Sequence, residues 1–132
     1  MSALLDTHVL LWWLAGDPRL SRGQRRLISK ASPESPLVLS DISLWEIATL
    51  HDLGRIEIDR PLREWLEQAS APPLVRRIGI SPAVAAEVAA LPASFHRDPA
   101  DRIIVATVRL LGAKLLTSDH RIIESKLVPV QK

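Results

Sequence analysis

The stretch "LLDTHVLLWWL", Leu4–Leu14, sets an aspartate, a threonine and a histidine into an otherwise apolar run. The apolar residues before Asp6 predict a buried strand at Ala3–Leu5, and those after it predict a helix at His8–Ala15. Asp6 therefore stands where a strand ends and a helix begins. A carboxylate at such a junction is typical of a helix N-cap, and it is also typical of a metal ligand.

The same alternation of short apolar runs and helical patterns continues along the chain. Further strands are predicted at Leu37–Leu39, Val75–Ile80, Lys114–Thr117 and Leu127–Val130. Further helices are predicted at Ser21–Ala31, Leu44–Leu53, Leu62–Ala69, Ala83–Leu91 and Ala100–Leu111. Strands that alternate with helices predict an α/β fold with a mostly parallel sheet covered on both faces. A length of 132 residues predicts one domain, 1–132, with a proper core.

The composition narrows the classes of function. The chain has no cysteine, which excludes disulfides, zinc–thiolate sites and thiol catalysis. The net charge is only +2, from 17 basic and 15 acidic residues, so charge alone does not indicate a nucleic-acid partner. The apolar run Val9–Ala15 is too short to cross a bilayer, and the N-terminus lacks the features of a signal peptide. We therefore expect a soluble cytoplasmic protein without a membrane partner.

Four further acids fall at comparable places. Glu46 follows the second strand, Asp98 and Asp101 open the last long helix, and Asp119 follows the fourth strand. Since sites in parallel sheets form outside the carboxyl ends of the strands, we expect these side chains to converge with Asp6 at one edge. Converging carboxylates repel one another, and a bound divalent cation removes that cost. Oxygen ligands without cysteine favour Mg²⁺ or Mn²⁺ over zinc, and such clusters serve phosphate chemistry.

Helix capping is the competing interpretation of each acid taken singly. Asp98 followed by Pro99 fits an N-cap with proline at the first helical position, and Ser43 with Glu46 fits a capping box. Capping does not explain why so many acids fall at the same edge of one sheet. The four histidines offer a second alternative, a metal-free nuclease with two histidines as acid and base, but they are scattered without a telling spacing.

The four tryptophans carry expectations about packing. Trp45, beside Glu46, is predicted to lie in the core and to position that acid. Of Trp12 and Trp13, one is predicted to pack in the core while the other is available to a partner. Trp65 fits either a core position or a contact between copies of the chain.

Four stretches together resemble one known family, and they span nearly the whole chain. They are "LLDTHVLLWWL", "LSDISLWEIATLHDLGRIEI" at 39–58, "RRIGIS" at 76–81 and "HRDPADRIIVATVRLLGAKLLTSDHRI" at 96–122. The ordered set D-T-H, S-L-W-E-I, D-P-x-D-R and L-L-T-x-D is similar to that of PIN-domain ribonucleases, specifically VapC-type toxins of bacterial toxin–antitoxin pairs. The resemblance implies a three-layer α/β/α sandwich, an endoribonuclease that needs Mg²⁺ or Mn²⁺, and a cytoplasmic toxin.

The resemblance also implies roles for particular residues. The catalytic and metal-binding acids would be Asp6, Glu46, Asp101 and Asp119, with Asp6 and Asp101 as direct ligands. Residues beside the ligands would orient water or carboxylates, namely Asp98, Thr7 and Ser118. Where some relatives carry a lysine, this chain has Leu50, so contacts to RNA phosphate would fall to other cations. The candidates are Arg55, Arg97 and Arg102.

The resemblance further implies partners. It implies a homodimer that is neutralised by a cognate VapB-type antitoxin, whose tail occupies the active-site groove. Contact with operator DNA would then be indirect, through the antitoxin. Two other functions stay open at this stage: a catalytically silent PIN-like binding module, and a nuclease for structured DNA or a phosphatase.

Overall fold

The computed structural model describes residues 2–132, and a parallel five-stranded sheet lies at its centre. The strands are β1 Ala3–Leu5, β2 Leu37–Ser40, β3 Val75–Ile78, β4 Lys114–Leu116 and β5 Val130–Gln131, in the order β3-β2-β1-β4-β5. Every neighbouring pair runs parallel. The helices are α1 Thr7–Ala15, α2 Arg22–Ser29, α3 Asp41–Asp52, α4 Leu62–Ala69, α5 Pro82–Ala90, α6 Pro99–Leu111 and α7 His120–Ser125.

Two hydrophobic clusters, one on each face, fix this sheet between layers of helices. Leu4 of β1 and Leu115 of β4 belong to a cluster with Ile104 of α6, whereas the next residues in each strand, Leu5 and Leu116, belong to the other. The alternation follows from the two-residue repeat of a strand, and both faces are apolar because helices cover both. The predicted α/β/α sandwich with a mostly parallel sheet is confirmed. Among residues 2–132, no helix has the length and hydrophobicity needed to cross a membrane.

Most predicted elements end within two residues of the observed ones, and the larger differences concern α3, α7 and β5. Helix α3 begins at Asp41, not Leu44, because the Ser40 hydroxyl caps it by accepting from the Ile42 N–H at 3.3 Å. The predicted capping box of Ser43 and Glu46 is therefore wrong, since both residues lie inside the helix. The short helix α7 was not predicted, because six residues are too few to show a helical repeat. Strand β5 lies at Val130–Gln131 and not at Leu127–Val130, since only its last residues pair with β4.

The prediction that Trp45 is a core residue is also wrong. Trp45 is 62% exposed, whereas Ser43 and Ile47 of the same helix are completely buried. Residues two positions from a buried residue point away from it on a helix, so the buried pair at 43 and 47 turns Trp45 outwards. Both Trp12 and Trp13 are half-buried against the cluster that contains Leu5, so neither is fully in the core.

Candidate active site

The four predicted acids line one cleft at the carboxyl edge of the sheet. This acid cleft has a volume of about 210 Å³ and is also bordered by Asp98, Leu50 and Arg121. Each acid comes from a different place: Asp6 follows β1, Glu46 lies in the second turn of α3, Asp101 in the first turn of α6, and Asp119 before α7. Their convergence follows from the parallel strand order, as the sequence predicted.

Asp6 is the most constrained of the four, at 3% exposure. Its Oδ1 caps α1 by accepting from the Thr7 N–H at 2.8 Å, while its Oδ2 accepts from the Thr117 hydroxyl at 2.7 Å. The Thr117 oxygen in turn accepts from the Asp119 N–H at 3.0 Å. Thr117, itself completely buried, therefore fixes two of the four acids relative to one another.

Replacing Thr117 by valine should weaken activity without unfolding the chain, because valine keeps the shape and loses only the hydroxyl. We expect the RNA cleavage that the resemblance implies to fall by about 10- to 100-fold, the usual effect of losing a group that orients a ligand. Thr117→Ser, which keeps the hydroxyl, serves as the control and should stay within a few-fold of wild type. Equal initial rates of RNA cleavage for Thr117→Val and wild type would contradict the positioning role.

Glu46 is held by a hydroxyl from the neighbouring helix. The Thr7 side chain hydrogen bonds to the Glu46 carboxylate and lies 2.8 Å from the hydroxyl of buried Ser43. Burial raises the pKa of Glu46 to about 7, the bond from Thr7 opposes that rise, and the negative charges of Asp6 and Asp101 add to it. Glu46 is therefore close to half-protonated at neutral pH when no cation is bound.

Asp101 is 7% exposed. Two neighbouring side chains hold its carboxylate in place. Its Oδ2 lies 2.7 Å from His96 Nε2 and accepts from Arg121 Nη2 at 3.4 Å. Burial raises the pKa of Asp101 to about 6, the bond with His96 lowers it in part, and nearby acids including Asp6 raise it further. A second acid of the cleft thus resists carrying its negative charge.

Asp119 differs from the other acids because Arg121 donates to it from both its side chain and its backbone. Arg121 donates to Asp119 from its side chain at 3.2 Å and from its backbone N–H at 2.8 Å. Burial pushes the pKa of Asp119 upwards, but these bonds and the charge of Arg121 outweigh it and lower the pKa. Asp119 therefore stays ionised.

The structure gives the remaining predicted residues different roles. Thr7 and Asp98 border the acid cleft, and Asp98 also caps α6, as its sequence context predicted. Ser118 instead accepts from Gln24 Nε2 at 3.3 Å, and the hydroxyl that reaches an acid is that of Thr117. Arg102 is buried and donates to the carbonyls of Phe95 and His96, so it is a structural residue, not one free for RNA.

Sequence reasoning missed three side chains that act on the acids: Thr117, His96 and Arg121. The sequence could have indicated the role of Arg121, because an arginine two residues after an N-cap aspartate can contact that aspartate. No sequence pattern indicated the role of His96, since its contact with Asp101 depends on the loop before α6. His8 also borders the cleft, but its Nε2 accepts from the Ser118 N–H at 3.0 Å and is thereby occupied. The other ring nitrogen of His8, Nδ1, lies 3.7 Å from Asp6 Oδ2.

The donor set of the cleft suits a hard divalent cation. All four acids offer oxygen atoms, and two of them have pKa values raised by burial and mutual repulsion, a cost that a cation would remove. Within residues 2–132, no three His, Cys, Asp or Glu side chains already surround one point as ligands. Thr7, Thr117, His96 and Arg121 hydrogen bond to these carboxylates, so binding would require the carboxylates to turn towards a shared ion.

Comparison with known proteins adds a family and a fold. The PIN-domain family profile matches residues 3–126. Ribonuclease VapC22 of Mycobacterium tuberculosis is 42% identical over 121 residues, which cover 92% of this chain and 89% of that protein. A toxin–antitoxin complex from Klebsiella pneumoniae matches with a TM-score of 0.68 and 21% identity, over 99% of this chain and 97% of that one.

A second solved structure matches equally well. VapBC2 from Rickettsia felis, bound to a DNA fragment from its promoter, gives a TM-score of 0.71 at 13% identity, over 99% of this chain and 98% of that one. At such identities the structural matches bear on the fold alone.

Proposed function

The chain belongs to the PIN-domain family and, within it, to the VapC ribonucleases, and on this basis we propose that it is the ribonuclease toxin of a toxin–antitoxin pair. The proposed substrate is RNA, cut by hydrolysis of a phosphodiester bond in the acid cleft. The observation that carries this proposal is the convergence of Asp6, Glu46, Asp101 and Asp119 from four elements on one cleft.

The proposed cofactor is Mg²⁺ or Mn²⁺, held by Asp6 and Asp101 with help from Glu46 and Asp119. When bound, such an ion polarises the scissile phosphate and makes an attacking water easier to deprotonate. Glu46, which Thr7 orients in the same cleft, would accept the proton of the attacking water. As the water oxygen bonds to phosphorus, the bond from phosphorus to the 3′ oxygen breaks and that leaving oxygen takes up a proton from solvent, so the products are a 5′-phosphate and a 3′-hydroxyl.

The chain's own residues hold this arrangement together. Thr7 orients Glu46, Thr117 orients Asp6, and His96 orients Asp101. Leu50, which is uncharged, borders the cleft. The positively charged side chains that contact RNA phosphates therefore lie further from the acids. We propose Arg55 and Arg97 for that role, because both are exposed.

The proposed partner is a cognate VapB-type antitoxin, since the structural neighbours include toxin–antitoxin complexes. The tail of the antitoxin would occupy the acid cleft, and this chain would be linked to DNA only through the antitoxin. We further propose that the protein is a cytoplasmic homodimer. A catalytically silent binding module is the alternative, and the presence of all four acids speaks against it.

Digestion of three substrates tests the proposed function. We expect the purified chain with Mg²⁺ or Mn²⁺ to cleave single-stranded RNA, and to leave a DNA of the same sequence and a phosphomonoester intact. EDTA should stop cleavage, and excess Mn²⁺ should restore it, because the cation offsets the repulsion between the acids. Absence of RNA cleavage, or cleavage that persists in EDTA, would overturn the proposal. A silent module would in addition leave growth unaffected on expression.

A further inference from the structure

A second cleft adjoins the acid cleft and has no role in the chemistry described so far. This flanking cleft has a volume of about 380 Å³, and its lining includes Ser94, His96, Arg121, Glu124 and Leu127. Arg121 lines both clefts, and His96 of the flanking cleft lies 2.7 Å from Asp101 of the acid cleft. The two clefts are thus separated by the side chains of His96 and Arg121. A chain that places one phosphate on the acids continues directly into the flanking cleft.

The walls of the flanking cleft suit a flat, polar-edged ring. The His96 imidazole and the Arg121 guanidinium are planar groups of the kind on which unpaired bases stack. Leu127 adds an apolar surface, while exposed Ser94 and Glu124 offer hydrogen-bonding groups at the rim. Among residues 2–132, Glu124 takes part in no ion pair, so its carboxylate is available to a ligand.

The charges of the flanking cleft favour a base over a phosphate. Its cation, Arg121, is already engaged by Asp119 at 3.2 Å and by Asp101 at 3.4 Å. Glu124 would repel a phosphate, yet its carboxylate accepts well from the amino group of a base. Adenine, cytosine and guanine carry such an amino group, and uracil does not.

We propose that the flanking cleft binds the base of the nucleotide next to the scissile phosphate in single-stranded RNA. Glu124 accepts from the amino group of that base, while His96 and Arg121 contact its ring. The inference rests on the proposed ribonuclease function and adds to it a subsite that prefers amino-bearing bases to uracil.

Sequencing of cleavage ends tests this subsite. A pool of random single-stranded RNA is digested in Mn²⁺, and the base frequencies on both sides of the cut are read. We expect wild type to favour amino-bearing bases over uracil at one position beside the cut. Glu124→Gln should reduce that preference on the order of fivefold, because glutamine also donates and can meet the uracil carbonyls. Glu34→Gln, at an exposed loop position, is the matched control and should keep the wild-type profile.

A second variant tests the cleft by filling it. Ser94→Trp should raise KM for RNA by about tenfold and leave kcat within a few-fold, because it blocks binding without touching an acid. The subsite is refuted if wild type cleaves RNA without preferring amino-bearing bases, or if Glu124→Gln keeps that preference unchanged. Neither result would contradict the proposed ribonuclease function. An unchanged KM for Ser94→Trp would equally refute the subsite. Failure of wild type to cleave RNA at all would overturn the proposed function and the subsite with it.

Discussion

Asp101→Asn should lower kcat/KM for RNA cleavage by roughly 10³-fold or more, the scale expected when a metal ligand or proton-transfer group is lost. Asparagine keeps the size of the side chain and an oxygen for His96, but it removes the negative charge that a cation needs. Asp6→Asn should have a comparable effect, because Asp6 is the other proposed direct ligand. Initial rates of RNA cleavage in Mn²⁺ measure both losses.

Substitution by asparagine separates metal binding from helix capping. Asparagine caps a helix about as well as aspartate, so capping alone predicts little effect at any of these positions. Asp59→Asn changes an exposed acid that does not line the acid cleft and should keep activity within a few-fold of wild type. Full activity of Asp101→Asn would show that the negative charge of Asp101 is not needed for the chemistry.

Gln24→Leu should lower the free energy of unfolding by about 1–3 kcal/mol, because it leaves the buried Thr117 carbonyl without this donor and removes the acceptor of the Ser21 N–H. Gln24 is completely buried, and its Nε2 lies within 3.3 Å of the carbonyl oxygens of Thr117 and Gln131. It joins α2 to the segment that carries Thr117, and through it to the acid cleft. Urea denaturation measures the change as a lower midpoint at unchanged slope.

The control for this variant is a glutamine on the surface. Gln68→Leu alters an exposed position of α4, and a change there should stay within about 0.5 kcal/mol. Equal unfolding midpoints for Gln24→Leu and Gln68→Leu would contradict the structural role of the buried amide.

The sequence was sufficient for the layers of the fold and the positions of the acids. Strands such as Leu37–Leu39 are recognisable because parallel strands between two helical layers are apolar on both faces. Asp6 and Asp119 follow from the rule that parallel strands end at one edge, and Asp101 lies in the first turn of a helix that begins at that edge. Asp6 and Asp119 also cap helices, so each of these two residues serves as a cap and lines the cleft at once.

The features that the sequence did not predict depend on contacts between residues that are far apart in the chain. Thr117 and Asp6 are 111 residues apart, and no local pattern pairs them. His96 reaches Asp101 through the conformation of a loop, and Trp45 faces outwards because Ser43 and Ile47 of the same helix are buried. Long-range contacts of this kind are set by packing and not by the local repeat from which elements are predicted.

Mn²⁺ binding by the metal-free protein tests the central claim most directly, because it needs no knowledge of the RNA target. Titration calorimetry should show saturable binding to wild type and to Asp59→Asn. The double variant Asp6→Asn with Asp101→Asn should lose that binding while keeping the circular dichroism of the fold. Binding of Mn²⁺ by the double variant with wild-type affinity would contradict the assignment of the acid cleft as a metal site.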